Sequence, residues 1–169
     1  MNTAIIVAAG SGKRFGSDTP KQFHPILGKP VVIHTLQRFE DCDLVKRIIL
    51  VLDKNETDSF SKTTKQFGIR KIDSIVSGGE SRAESVRKGF EAIKEDFRGV
   101  VAVHDGARPL VSTQEISETI QTAQESGAAC LVANVTDTIK EVSGGVITKT
   151  VDRTNLRRAL TPQCFRYEL

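Results

Sequence analysis

The strongest constraint on this 169-residue chain is a rhythm: short, continuously apolar runs alternate with segments of helical periodicity. Ile5 to Ala9, Ile48 to Leu52, Val100 to Val103 and Ala128 to Ala133 read as buried strands, and Ile72 to Val76 as a weaker one. A strand that is apolar at every position has both faces covered, the mark of a parallel sheet between helices. The intervening segments Val31 to Phe39, Thr57 to Phe67, Arg82 to Glu95 and Thr113 to Ser126 read as helices. Capping boxes at Ser81–Glu84 and Ser112–Glu115 open two of them, and Gly68 and Gly127 stand where helix-ending glycines belong. The pattern predicts an α/β fold: a doubly wound, mostly parallel, Rossmann-like sheet in a single domain over residues 1–169. In such folds ligands bind beyond the carboxyl ends of the strands.

One segment breaks the rhythm. Residues 137–152 alternate Thr, Val and Ile with charges and carry Ser143-Gly144-Gly145 at the middle, which predicts a hairpin. Polar residues fall on both faces. A two-stranded ribbon alone is marginally stable, so the expectation is a protruding arm that packs on something, such as a partner subunit.

Composition narrows the function. Lys and Arg number 24 against 21 Asp and Glu, and no dense basic run occurs, so nucleic acid is not an expected partner. With one Tyr, no Trp and eight scattered Phe, the chain has no base-stacking platform. Cys42, Cys130 and Cys164 are too far apart for a disulfide framework or a zinc pattern and suit a reducing cytoplasm. The N-terminus does not read as a signal peptide, and no apolar stretch approaches membrane length. A cytoplasmic protein without a membrane partner is expected.

Three loops at predicted strand ends hold the unusual residues. The first, Ala8-Ala9-Gly10-Ser11-Gly12-Lys13-Arg14-Phe15-Gly16, leads on to Pro20-Lys21-Gln22-Phe23. It fails as a P-loop, because Val7 stands where the first glycine belongs and Arg14 where Ser or Thr belongs. It fails as a dinucleotide fingerprint, because Gly16 falls one residue late. A glycine-rich anion nest with Lys13, Arg14 and Lys21 converging suits a triphosphate; the same residues also suit a solvated basic turn. The second loop, Ser77 to Ser85, ends at a helix start that favours anions, and Arg82 and Ser85 share a face; an ordinary capped helix would look the same. In the third, Val103-His104-Asp105-Gly106-Ala107-Arg108-Pro109, Asp105 is placed to hold Mg²⁺ with phosphate oxygens, or simply to pair with Arg108. His24, His34 and His104 have no metal spacing and read as structural. No Ser–His–Asp or Cys–His arrangement is visible. A nucleophile that is already ionised, such as a phosphate monoester, needs no general base.

The motifs AAGSGKRFG…PKQF, GGESRAESVRKGF, VHDGARP, DTIK and VDRTNLRRALTPQCF occur in this order across almost the whole chain. The chain thereby resembles the 2-C-methyl-D-erythritol 4-phosphate cytidylyltransferases, with the ribitol-5-phosphate cytidylyltransferases as a close sister group. The resemblance implies a nucleotide-diphospho-sugar transferase type of sheet. It implies transfer of a cytidylyl group from CTP to a polyol phosphate with release of pyrophosphate and with Mg²⁺ as cofactor. On that reading Arg14 and Lys21 are catalytic, stabilising the α-phosphate. Ala8, Ala9, Gly10, Gly12, Gly79, Arg82 and Ser85 bind the nucleotide. Asp105 holds the metal and, with Ala107, Arg108, Thr138, Arg153 and Thr161, binds the acceptor. The arm of residues 137–152 crosses to the other subunit of a homodimer and grips the acceptor phosphate through Arg153.

The chain departs from the family pattern at three places. Arg157 stands where an aromatic residue is commoner, and Gly106 where Ala is commoner, the latter expected to be silent. The family pattern continues beyond Leu169 with a helix and a segment carrying a further Asp and Lys for the metal and phosphate site. From this the chain is expected to bind nucleotide weakly and turn over poorly. Methylerythritol phosphate and ribitol phosphate both remain as acceptors, as does a nucleotide-binding form without turnover.

Overall fold

A computed structural model of the chain describes residues 1–10 and 19–169. Its central sheet contains β1 (Asn2–Ala8), β4 (Val45–Leu52), β5 (Ile72–Ser77), β6 (Val100–Asp105), β7 (Ala128–Asn134) and β10 (Arg157–Arg166). They lie in the order β5-β4-β1-β6-β10-β7. The pairings β1–β4, β1–β6 and β4–β5 are parallel, while β10 runs antiparallel to both β6 and β7. The helices are α1 (Val31–Glu40), α2 (Thr57–Gln66), α3 (Arg82–Glu91) and α4 (Thr113–Ser126). A small hairpin of β2 (Pro25–Ile26) and β3 (Lys29–Pro30) leads into α1. No helix among the described residues is long and apolar enough to cross a membrane.

The period of two along each strand sorts the core into two layers. Ala4, Ile6, Ile48, Leu50, Val100 and Ala102 meet Ile33, Leu36 and Phe39 of α1, Phe60 of α2, and Ile116 and Ile120 of α4. On the opposite face Ile5, Ile49, Val51, Val101 and Val103 meet Val86 and Phe90 of α3 together with Ile93 and Phe97. Covered on both faces, β1, β4 and β6 are as apolar as the sequence pattern predicts.

The sheet's outer part differs from expectation in two ways. Ala128 to Ala133 was expected to be buried, yet β7 is the edge strand and its residues alternate between half-buried and exposed. Ala129 and Leu131 pack against the α1–α4 layer, whereas Cys130 and Val132 face the side that α3 does not reach. The strand β10 went unrecognised. Pro162 inside it argues against a central strand, and the chain tolerates it by slipping register between Ala159 and Gln163.

Local signals hold with two adjustments. Ser112 and Glu115 form a complete capping box at α4. At α3 only half of the expected box forms, because the Glu84 carboxylate accepts from the Glu80 amide (2.9 Å) instead of the Ser81 amide. The helix α3 also stops at Glu91, four residues early, and the following turn lowers Ile93 and Phe97 into the second layer. Gly68 and Gly127 end their helices at φ +72° and +94°.

Residues β8 (Ile139–Ser143) and β9 (Val146–Val151) pair as an antiparallel ribbon through Gly144 and Gly145, both at positive φ. Nearly every residue of the ribbon is exposed, including Val142, Val146 and Ile147.

His104 is fully buried at the end of β6. Its ring lies 4.9 Å from that of Phe39, its Nε2 bonds the Arg108 carbonyl at 3.1 Å, and its Nδ1 has no partner. A carbonyl partner requires a proton on Nε2, while the buried Nδ1 has no partner. Burial accordingly pushes its pKa from 6.5 down to about 4. The unfolded chain therefore binds the extra proton more readily, and stability is lost as pH falls from about 6.5 to about 4. The loss amounts to about 3 kcal/mol at the low end. Urea unfolding of the protein and of His104→Gln across this range checks it: the variant should lose this component of the pH dependence.

Candidate active site

The site grows from the carboxyl ends of β1, β5 and β6. Here β1 continues leftward to β4 and β5 and rightward to β6, and the reversal of strand order is where such sheets form a ligand crevice. The three sequence-marked loops emerge at this edge.

Backbone contacts stitch the first and third loops together. The Gly106 amide donates to the Val7 carbonyl (2.8 Å), and Thr35 of α1 donates through Oγ1 to the Gly106 carbonyl (2.8 Å). A Cβ on Gly106 would lie 2.7 Å from Cβ of Ala8 and 3.3 Å from Val32 and from the Val7 carbonyl. The expectation that glycine in place of alanine would be silent is therefore qualified: in this structure the two strand ends approach so closely that admitting a Cβ would require them to shift. The second loop closes in the same way. The Gly78 amide donates to the Leu52 carbonyl (2.7 Å), and a Cβ on Gly78 would stand 2.3 Å from that of Ala9.

Among the predicted nucleotide residues, Ala8, Ala9 and Gly10 lie on the exit of β1, Ala8 buried and Gly10 exposed. The side-chain amide of Gln22 donates to both the Ala8 and Gly10 carbonyls, each at 2.8 Å. Lys21, exposed, precedes Gln22 in a short 3₁₀ turn, Lys21–Phe23. Gly12 and Arg14 lie outside the described residues, as does Lys13. The Gly79 amide donates to Ser85 Oγ (3.0 Å), which donates in turn to the Ser81 carbonyl (2.9 Å). Ser85 is buried, so its hydroxyl shapes the loop from within.

Asp105 is the electrostatic centre. Arg82 Nε donates to its Oδ1 and Arg108 Nε to its Oδ2, both at 2.9 Å. One carboxylate thus lies between two guanidinium groups, leaving one net positive charge at the mouth of the crevice. The pairing with Arg108 anticipated from sequence is present, and Arg82 joins it from the second loop. Thr161 Oγ1, buried on β10, lies 3.4 Å from the Asp105 amide and accepts from it. Ala107 sits half-buried in the turn between Asp105 and Arg108. Among the described residues no group of three or more His, Cys, Asp or Glu side chains is clustered as a metal site.

Thr138 and Arg153 stand apart from this cluster. Thr138 is exposed just before β8. Arg153, just after β9, donates to the Thr136 carbonyl and lines a shallow pocket at the ribbon's root with Asn134, Val135, Thr154 and Arg157. Sequence reasoning missed Gln22, Thr35 and Lys88, whose Nζ donates to the Gly78 carbonyl (2.9 Å). Thr35 did carry a signal: it is a polar residue on the buried stripe of α1, beside Val31, Val32, Leu36 and Phe39. A buried hydroxyl there requires a partner.

The chain is also similar to known proteins in sequence and fold. The profile of the family described as IspD: 2-C-methyl-D-erythritol 4-phosphate cytidylyltransferase matches residues 2–169. The chain is 43% identical over 165 residues to the 2-C-methyl-D-erythritol 4-phosphate cytidylyltransferase of Bacillus velezensis, covering 98% of this chain and 70% of that protein. It is 42% identical over 168 residues to the enzyme of the same name from Pelotomaculum thermopropionicum, again covering 98% and 70%. In structure it is similar to the 4-diphosphocytidyl-2C-methyl-D-erythritol synthase of Anaerococcus prevotii, with a TM-score of 0.83, 27% identity, and coverage of 97% of this chain and 70% of the other. Fold, loop order and sequence therefore converge: the chain belongs to the 2-C-methyl-D-erythritol 4-phosphate cytidylyltransferase family.

Proposed function

We propose that the protein transfers the cytidylyl group of CTP to 2-C-methyl-D-erythritol 4-phosphate, giving the CDP-polyol and pyrophosphate in the non-mevalonate route to isoprenoids. The observation that carries this reading is the charged cluster at the strand ends. Asp105 is held between Arg82 and Arg108 beside the pinned turn Ala8–Gly10, in a family whose named members perform this reaction. An oxygen of the acceptor phosphate attacks the α-phosphorus of CTP in line. The bond to the β-phosphate oxygen breaks, and the leaving pyrophosphate takes the electron pair. The attacking phosphate is largely ionised at neutral pH, so no general base is required. Rate acceleration then rests on positioning and on neutralising charge. In this scheme Lys21 and Arg14 act on charge that develops around the α-phosphate, and the Ala8–Gly12 turn with Gly79, Arg82 and Ser85 holds the nucleotide.

Mg²⁺ fits the residues present. It accepts one or two carboxylates and takes its remaining ligands from phosphate oxygens and water. Asp105 is the carboxylate at the mouth of the crevice, and its two arginine partners are each about half exposed, at 49% and 46%. A bound cation would neutralise the triphosphate and the leaving pyrophosphate. Asp105, Ala107, Arg108 and Thr161 would line the acceptor side.

The reading includes a homodimer with shared sites. The ribbon exposes Val142, Val146 and Ile147, and Arg153 at its base is distant in sequence from the Asp105 cluster. Each arm would bring Thr138 and Arg153 to the acceptor phosphate of the neighbouring subunit. Three free cysteines are consistent with a reducing cytoplasm.

Three measurements test this reading in the full-length protein. Pyrophosphate release with CTP should exceed that with UTP, ATP or GTP, and methylerythritol phosphate should be preferred over ribitol phosphate; equal use of all four nucleotides refutes it. Lys21→Ala should lower turnover by roughly two to three orders of magnitude with a smaller loss in CTP affinity. Arg14→Ala and Arg153→Ala should each be nearly inactive alone. After subunit exchange at equal amounts, about a quarter of all sites should recover, because half the dimers are mixed and one site in each is intact. No recovery, with exchange confirmed by a tagged subunit, excludes the shared site.

A further inference from the structure

We infer that Gln22 is a positioning residue that sets the geometry of the phosphate-binding turn and registers Lys21 against it. The inference rests on the function proposed above. Gln22 is 3% exposed, and both of its amide hydrogens are directed at backbone carbonyls of the turn, Ala8 and Gly10. A carboxamide buried in this manner is costly unless it is satisfied. Its two donors reach two acceptors separated by one residue on the same side of the chain. That holds the exit of β1 in a single conformation.

The consequence for ligand binding follows from peptide geometry. A trans peptide is planar, so its C=O and N–H point in opposite directions. Holding the Ala8 carbonyl on Gln22 turns the Ala9 amide away from Gln22. Without the clamp, the Ala8 carbonyl, buried, and the Gly10 carbonyl, part-buried, would lose this donor and the turn would rotate to find another. The clamp's base is rigid. Phe23, the next residue, packs in the α1–α4 layer with its ring 5.4 Å from that of Phe60, and its amide bonds the Pro20 carbonyl at 2.9 Å. Lys21 is thus covalently attached to two consecutive anchored residues, Gln22 on the nucleotide loop and Phe23 in the core. No other side chain described here bonds both ends of the Ala8–Gly10 segment.

The test uses ligand fragments and Gln22→Met, which keeps the bulk and removes both donors. Tripolyphosphate probes the turn, and cytidine probes the base and ribose side. Calorimetric titration of the folded variant should show tripolyphosphate affinity lowered roughly tenfold or more, with cytidine affinity within about twofold of the parent. Turnover should fall along with the tripolyphosphate affinity. Unchanged affinities, or equal losses for both fragments, overturn the proposal, since a general loosening would weaken both. Amide NMR of the unaltered protein is a second arm that needs no folded variant. The Ala9 amide should shift on saturation with tripolyphosphate, and an Ala9 amide that stays still overturns the clamp. If the unaltered protein binds neither tripolyphosphate nor CTP, the proposed function falls and the clamp falls with it. If it binds both and Gln22→Met is indifferent, the clamp alone falls.

Discussion

The hydrogen bond from the Gly106 amide to the Val7 carbonyl continues the β1–β6 pairing past the end of β6. It fixes how far the third loop stands from the first. Everything else at the crevice takes its position from that spacing. Thr35 secures the other side of the same glycine, and Gln22 secures the two carbonyls just beyond Val7. The absence of a Cβ at position 106, which would otherwise meet Ala8 at 2.7 Å, lets the two strand ends approach this closely. Small side chains at Ala8, Ala9, Gly78 and Gly106 let three strand ends converge, and polar side chains from α1 and the 3₁₀ turn brace the backbone they expose.

Electrostatics then works on a rigid frame. The Arg82–Asp105 and Arg108–Asp105 pairs are partly solvated, and pairs of that kind contribute at most about 1 kcal/mol each to stability. They are poor candidates for holding the fold together, which the two apolar layers already do. Their value lies in placement. Each arginine uses Nε on Asp105 while its side chain stays about half exposed. The cluster joins the second loop to the third across the exit of β1, and it carries the positive balance that a triphosphate requires.

The ribbon β8–β9 follows a different logic. Its cross-strand contacts, such as Lys149 with Glu141 at 3.1 Å and Lys140 with Thr150 at 2.7 Å, are exposed. An isolated two-stranded ribbon is marginal in water, and this one displays Val142, Val146 and Ile147 to solvent. Those features are what a second subunit would cover.

The inner sheet was legible in the sequence because a strand buried on both faces has no polar position to disguise it, as β1, β4 and β6 show. The helix starts were legible because Ser112 and Glu115 act over four residues. Asp105 and Arg108 were legible as a pair for the same reason of short range. Other features required the folded chain. The strand β10 is read against by Pro162, and only its place between β6 and β7 makes it a strand. The edge exposure of β7 depends on its place at the end of the sheet, away from the strands β1, β4 and β5 on which α3 packs. Arg82 reaches Asp105 across 23 residues, and Gln22 reaches Ala8 across 14. Local periodicity records how a segment buries its own faces. It does not record which distant backbone carbonyl a buried amide will meet, because that depends on how neighbouring strands end and how closely their loops approach.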